Sequence, residues 1–116
     1  MSFIFVFFFS CKQNEDIQLE SLYGKWDITK AERNGKETNY LRNGYFILKP
    51  DGNITINITG EDEHGAFALE KNRLLMGNDK IFDIQALNND SLIVKYVSSS
   101  NSEFKFYMLK KKEDVQ

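Results

Sequence analysis

The chain is poor in the residues that build covalent frameworks and most catalytic or metal sites. Its 116 residues include one cysteine, one histidine and one proline. A single cysteine excludes an internal disulfide and every zinc site that needs more than one thiolate. A lone histidine leaves few combinations of acid, base and nucleophile. We therefore expect no enzymatic activity, no bound metal and no cofactor.

An excess of charge of one sign is also lacking. Fifteen basic residues stand against 17 acidic ones, which gives a net charge of −2 and no basic footprint for a nucleic acid. Hydrophobic residues make up 41% of the chain, too many for a disordered segment. This length and composition fit one globular domain.

The longest apolar run lies at the N-terminus and is too short to span a membrane. It covers the seven residues Phe3 to Phe9, and a polar run over 12–16 follows Ser10 and Cys11. A spanning helix needs about 20 residues, whereas seven match the apolar centre of a secretory signal. The alternative is a core strand or helix with Cys11 as a buried thiol. The absence of alternation and the polar run that follows favour the signal.

A small residue directly before a lone cysteine resembles the lipobox of bacterial lipoproteins. The resemblance implies a signal peptide over 1–10 and a lipidated Cys11, followed by a polar tether to residue 20. Lys12 directly after the cysteine resembles lipoproteins that are sorted to the outer membrane. The implied location is therefore lipid-anchored at the outer membrane, facing the periplasm or the cell surface, with the membrane as a partner.

From Ser21 onward, apolar and polar residues alternate with a period of two, as in half-buried strands. The alternation is cleanest where Ile54, Ile56 and Ile58 are separated by polar residues. Only residues 17–23 could form a short helical turn. The pattern predicts an all-β fold of eight short strands, over 25–33, 44–49, 54–59, 66–71, 73–76, 80–87, 91–97 and 103–110.

The predicted strands follow one another through tight turns, such as those at Asn34-Gly35 and Pro50-Asp51-Gly52. Consecutive antiparallel strands pair with their neighbours in sequence. Eight strands with one apolar face either close into an up-and-down barrel or pack as a sandwich, and closure removes the exposed edges.

Gly24 and Trp26 at the start of the first strand resemble the Gly-x-Trp signature of lipocalins. The layout from Ile17 to Lys112 resembles the small lipocalin-like domains of bacterial lipoproteins. This resemblance implies an eight-stranded antiparallel up-and-down barrel over 21–116, with a short N-terminal helical turn and Trp26 across the barrel floor. The last strand has no arginine to cover the Trp26 ring, a role that Lys110 or Lys111 could take. The alternative makes Trp26 an ordinary core aromatic residue.

The in-phase residues of the strands should converge inside the barrel and line any cavity it has, with the Tyr96 hydroxyl as a polar contact. They are Trp26, Phe46, Ile56, Phe67, Phe82, Tyr96 and Phe106. The resemblance implies that a small apolar ligand binds there. The alternative is a filled barrel that binds an envelope protein, as inhibitor or immunity lipoproteins do, or that serves as a structural component. The apolar outer residues Tyr45, Ile47, Ile93 and Val97 favour this alternative.

The densest polar cluster is the contiguous run Glu61, Asp62, Glu63 and His64. Three carboxylates and an imidazole could hold a divalent cation if a loop folded around it. Adjacent side chains at a hairpin tip diverge, however, so the interpretation we favour is a solvated acidic loop over 60–65 without a metal.

Overall fold

The computed structural model describes residues 17–39, 43–77 and 80–111, in which nine strands follow a short 3-10 turn. The predicted signal peptide, Cys11 and most of the tether lie outside the described residues. The elements are the 3-10 turn Leu19–Leu22, β1 Gly24–Arg33, β2 Lys36–Thr38, β3 Tyr45–Leu48, β4 Asn53–Asn57, β5 Glu63–Glu70, β6 Arg73–Met76, β7 Lys80–Leu87, β8 Ser91–Val97 and β9 Glu103–Lys110.

Eight of these strands close into a barrel in the order β1-β3-β4-β5-β6-β7-β8-β9, and β9 pairs back onto β1. Every pairing is antiparallel, and each barrel strand after β3 lies beside its neighbour in sequence. The predicted all-β, eight-stranded up-and-down barrel is confirmed.

The ninth strand, β2, was not predicted. It pairs only with the end of β1, through a two-residue turn in which Asn34 and Gly35 have φ values of 52° and 85°. Two successive positive φ angles define the tight hairpin turn that an Asn-Gly pair predicts. The strand itself escapes pattern analysis because Lys36–Thr38 is short, polar and without an apolar face.

The predicted acidic loop over 60–65 is wrong in its second half. Strand β5 already begins at Glu63, where Glu63 pairs with Ile56 and His64 with Thr55. Backbone hydrogen bonds to β4 hold this segment in the sheet whatever the polarity of its side chains. At the rim of a barrel, a polar residue can therefore belong to a strand.

The end of the barrel at which the chain enters β1 is closed, and we call it the closed end. Leu22 and Trp26 are fully buried there, and the Trp26 Nε1 donates a hydrogen bond to the Leu22 carbonyl oxygen at 2.9 Å. The Lys110 Nζ lies 5.0 Å from the centre of the Trp26 ring. Of the two lysines that could replace the missing arginine, Lys110 covers the ring. Ile17, ahead of the 3-10 turn, also packs against the core.

The opposite end, where β1 ends and β9 begins, is called the mouth. The connections over 58–62 and 98–102 lie at this end, because they join strands that run up to it and back. Between the two ends, the core consists of the inward side of each barrel strand. Its centre is formed by large buried side chains, among them Phe46, Phe82 and Phe106.

Candidate functional site: the barrel interior and its mouth

One row of directly paired residues runs across five neighbouring strands to the mouth. We call it the mouth row. Directly paired residues on neighbouring strands place their side chains on the same face of the sheet. Since Phe82 is fully buried, this face is the inner one. From β7 to β2 the row consists of Phe82, Tyr96, Phe104, Arg33 and Lys36.

Five aromatic rings form a continuous cluster along this row and beneath it, which we call the aromatic cluster. The centres of the Phe82 and Tyr96 rings are 5.1 Å apart, and those of Tyr96 and Phe104 are 6.3 Å apart. Phe106 lies 6.1 Å from both Phe104 and Phe46. Phe46, Phe82 and Phe106 are buried, whereas Tyr96 and Phe104 are half-buried. The cluster therefore runs from the centre of the barrel to a partly open surface.

The aromatic cluster fills the barrel at its centre. Phe46 on β3 and Phe82 on β7 come from opposite sides, with three strands between them in either direction around the barrel. Their ring centres are only 5.1 Å apart, at an interplanar angle of 75°. Edge-to-face rings at this distance are in van der Waals contact. Any space for a ligand along this row therefore lies on the mouth side of the contact.

The cationic side chains at the mouth differ in whether they have a carboxylate partner. The Lys80 Nζ lies 3.3 Å from a Glu63 carboxylate oxygen, so this cation has a carboxylate partner. Arg33 is held differently: its Cζ lies 5.7 Å from the centre of the Phe104 ring, and its Nη2 donates to the Ser102 Oγ at 3.3 Å. Within the residues that the structure describes, neither Arg33 nor Lys36 has a carboxylate within ion-pair distance.

The side chains of the polar run at 61–64 diverge: Asp62 and His64 lie on the outer face of the barrel, whereas Glu63 pairs with the buried Ile56 and shares its inner face. The Asp62 carboxylate accepts hydrogen bonds from the Tyr45 hydroxyl and, at 3.0 Å, from the Asn57 side-chain amide. Glu63 turns to Lys80, and the His64 Nδ1 lies 2.9 Å from the Thr55 hydroxyl. Among residues 17–39, 43–77 and 80–111, no group of three or more acidic, histidine or cysteine side chains is placed to hold a metal ion.

The Tyr45–Asp62 contact shifts the titration of both groups. The hydrogen bond from Tyr45, followed by that from Asn57, lowers the pKa of the Asp62 carboxyl below its usual value. The same hydrogen bond to a carboxylate, together with desolvation, raises the pKa of the Tyr45 hydroxyl. Because both groups are on the outer face, this pair lies outside the barrel interior and is not part of the mouth row.

Solved structures that share this architecture include two odorant-binding proteins. A bovine odorant-binding protein complexed with its natural ligand superimposes with a TM-score of 0.52 at 14% identity, over 86% of this chain and 77% of that chain. An odorant-binding protein from bovine nasal mucosa gives a TM-score of 0.52 at 15% identity, over 87% and 78% of the two chains. The barrel has the lipocalin fold. No protein-family model and no curated protein matches the chain.

The lipocalin-like barrel places most of the predicted interior residues where the period-two pattern puts them. Phe67 and Tyr96 are half-buried and pack against the core. The Phe67 backbone N–H donates to the Gly52 carbonyl oxygen at 2.9 Å, which places Phe67 beside a turn at the closed end and away from Tyr96. The fully buried members of the set are Trp26, Phe46, Ile56, Phe82 and Phe106.

The predicted set omitted three members of the mouth row of this lipocalin-like barrel: Phe104, Arg33 and Lys36, the last of which lies on the strand β2 that was not predicted. Phe104 is in phase with Phe106, so the alternation that identified Phe106 also pointed to it. Arg33 gave no such signal. A bulge between Ile28 and Lys30 shifts the phase of β1, so Ala31 and Arg33 take the inward positions that simple alternation gives to Lys30 and Glu32.

No helix in the described parts of the chain has the length and apolar character needed to cross a membrane.

Proposed function

We propose that the chain is a lipid-anchored envelope lipoprotein whose lipocalin-like barrel binds a small apolar or amphipathic ligand at its mouth. One observation carries the ligand-binding part. Tyr96 and Phe104 extend the buried aromatic cluster to the mouth and remain half-buried there. Partly exposed aromatic rings at the end of the barrel offer apolar contact to a ligand at little conformational cost. The proposal assigns no catalytic step, metal or cofactor to the chain.

The filled centre sets the size of the ligand. Because Phe46 and Phe82 meet across the barrel, a ligand at the mouth has to stop at this contact. A single alkyl chain or a small ring fits this description, whereas we expect weak or no binding of sterols and haem. One of the structural neighbours was solved with its natural ligand, and the shared fold supports ligand binding here as well.

Thermal unfolding with a panel of ligands tests the proposal. Dodecan-1-ol should raise the melting temperature with the logarithm of its concentration, and a sterol and haem should not. Tyr96→Leu should weaken dodecan-1-ol binding, while the matched change Tyr107→Leu on the outer face should not. Trp26 fluorescence tests where the ligand binds. Because the Trp26 ring lies at the closed end, binding at the mouth should leave its emission unchanged. Equal loss of binding in both variants would contradict the site.

The anchoring part of the proposal rests on the sequence. Ser10-Cys11 after an apolar run supports lipidation of Cys11 and a location at the outer membrane, facing the periplasm or the cell surface. Expressed in a Gram-negative host, the chain should incorporate labelled palmitate and partition with membranes, and Cys11→Ser should abolish both. Adding Ser100→Cys to Cys11→Ser returns a thiol at an exposed loop and should not restore the label. Stable anchoring needs more than one acyl chain.

The filled centre also favours a second candidate function. In this alternative, the chain is an inhibitor, immunity-type or structural lipoprotein of the envelope that binds a protein partner through the outer face of the barrel. Ile81 and Val97 are about half exposed, at 47% and 51% of their surface, whereas Tyr45, Ile47 and Ile93 are partly covered. A panel in which no small ligand raises the melting temperature would favour this candidate over the first.

A further inference from the structure

We infer that the ligand of the mouth carries an oxyanion headgroup on an apolar chain, and that Arg33 binds this headgroup. The inference rests on the proposed function, because it identifies the ligand class of the same site. It concerns one end of the mouth row, where two cationic side chains follow two aromatic ones.

The fold itself brings Arg33 to the inner face. After the bulge between Ile28 and Lys30, Ala31 is fully buried, and Arg33 follows it in the same phase. Arg33 pairs directly with Phe104 on β9, so the two side chains lie on the same face. Without the bulge, this arginine would be an ordinary outer-face residue.

Two contacts position the Arg33 guanidinium group, and only one of them uses an N–H donor. Its contact with Phe104 at 5.7 Å positions one face of the group, and the hydrogen bond to Ser102 at 3.3 Å uses one N–H donor. Ser102 is only 8% exposed, so this anchor is part of the packed wall. The remaining N–H donors of a guanidinium stay available for an oxyanion, which they bind in a planar, two-pronged arrangement.

The charges around Arg33 are unbalanced in the described part of the chain. Its direct partner on β2 is Lys36, another cation, and like charges directly opposite each other destabilise a sheet. Lys80 at the same end has Glu63 as a partner, whereas the described residues supply Arg33 and Lys36 with none. An anionic headgroup would supply the missing negative charge.

The order of the mouth row fits an amphiphile. An apolar chain that lies over Tyr96 and Phe104 ends beside Arg33 and Lys36, because each residue is the direct neighbour of the next. A carboxylate and a phosphate monoester share the oxyanion chemistry, and their different shapes can be compared directly.

Isothermal titration of the full chain with three ligands of equal chain length tests the inference. The ligands are dodecanoate, dodecyl phosphate and dodecan-1-ol, each below its critical micelle concentration. At least one anion should bind about tenfold more tightly than the alcohol. Arg33→Gln should remove this preference by weakening the binding of the anions. The matched control is Arg73→Gln, which removes the same charge from an exposed pair with Asp83 on the outer face and should keep the preference.

The outcomes separate the inference from the proposed function. If the alcohol binds as tightly as both anions, or if Arg33→Gln keeps the anion preference, the oxyanion inference is wrong and the proposed function stands. If none of the three ligands binds, both are wrong. If the preference is lost equally in Arg33→Gln and Arg73→Gln, net charge explains it and the assignment to Arg33 is wrong. The tighter of the two anions identifies the headgroup.

Discussion

The rings of Phe46 and Phe82 meet edge to face at 5.1 Å, although their strands lie on opposite sides of the barrel. Eight strands leave an interior just wide enough for side chains or for one small ligand. In this chain, the side chains of Phe46 and Phe82 fill the interior at the centre of the barrel. The contact separates the floor around Trp26 from the mouth around Tyr96 and Phe104, and it explains why binding is expected at the mouth alone.

Truncation of Phe46 should open the centre. Phe46→Ala is expected to lower the free energy of unfolding by about 3–5 kcal/mol, because it removes a fully buried ring. An apolar cavity of this kind stays dry and binds small apolar molecules. Benzene should therefore raise the melting temperature of Phe46→Ala and not that of the wild type. Tyr45→Ala, the neighbouring change on the outer face, should create no benzene site.

Trp26 should contribute more to stability than any other single side chain at the closed end. Trp26→Ala is expected to lower the free energy of unfolding, measured with urea, by about 3–5 kcal/mol. This is a large share of the total for a typical domain, which is about 5–15 kcal/mol. Trp26→Phe keeps an aromatic ring but loses the hydrogen bond to the Leu22 carbonyl oxygen. Loss of this hydrogen bond should lower the free energy of unfolding by about 1 kcal/mol, in addition to the effect of the smaller ring. A loss below about 1 kcal/mol in Trp26→Ala would contradict its place in the core.

Much of the fold could be predicted because a period of two reports directly on which side of a strand is buried. The strands over 73–76, 80–87, 91–97 and 103–110 have the predicted bounds, and Gly24 and Trp26 mark the closed end as the lipocalin resemblance implies. Each of these features is local: it depends on residues within one strand or one turn.

The mouth could not be assembled in the same way. Tyr96, Phe104 and Arg33 come from three strands, and their proximity depends on register, which hydrogen bonding between strands sets. The bulge after Ile28 moves Arg33 from the outer to the inner face, and the small Ala31 is the one apolar residue between Lys30 and Arg33 whose position reflects this shift. The start of β5 at Glu63 was missed for a similar reason, since its pairing with Ile56 is backbone-determined.

Gly44 should tolerate no side chain. A Cβ at this position would lie 2.3 Å from the Asn57 carbonyl oxygen and 3.0 Å from the Ile28 Cδ1, and the first of these neighbours is backbone. Gly44→Ala should therefore force β3 and β4 apart at the mouth and cost about 1–3 kcal/mol in urea unfolding. Gly65→Ala is the matched control, because its Cβ would meet only the flexible Met76 side chain at 3.4 Å. Equal losses in the two variants would contradict the close approach.

The pair of Tyr45 and Asp62 should make stability depend on pH in the acid range. Hydrogen bonds from Tyr45 and Asn57 lower the pKa of Asp62 in the folded chain. A group whose pKa is lower when folded stabilises the fold above its unfolded value, about 3.9, and loses this contribution as the pH falls through the folded value. Tyr45→Phe should therefore raise the Asp62 pKa measured by NMR and lower the urea midpoint at pH 6, with the difference shrinking as acid protonates Asp62. Tyr107→Phe, whose hydroxyl bonds Glu32 at 3.3 Å, should leave the Asp62 pKa unchanged. An unchanged Asp62 pKa in Tyr45→Phe would show that the tyrosine hydroxyl does not hold the carboxylate in solution.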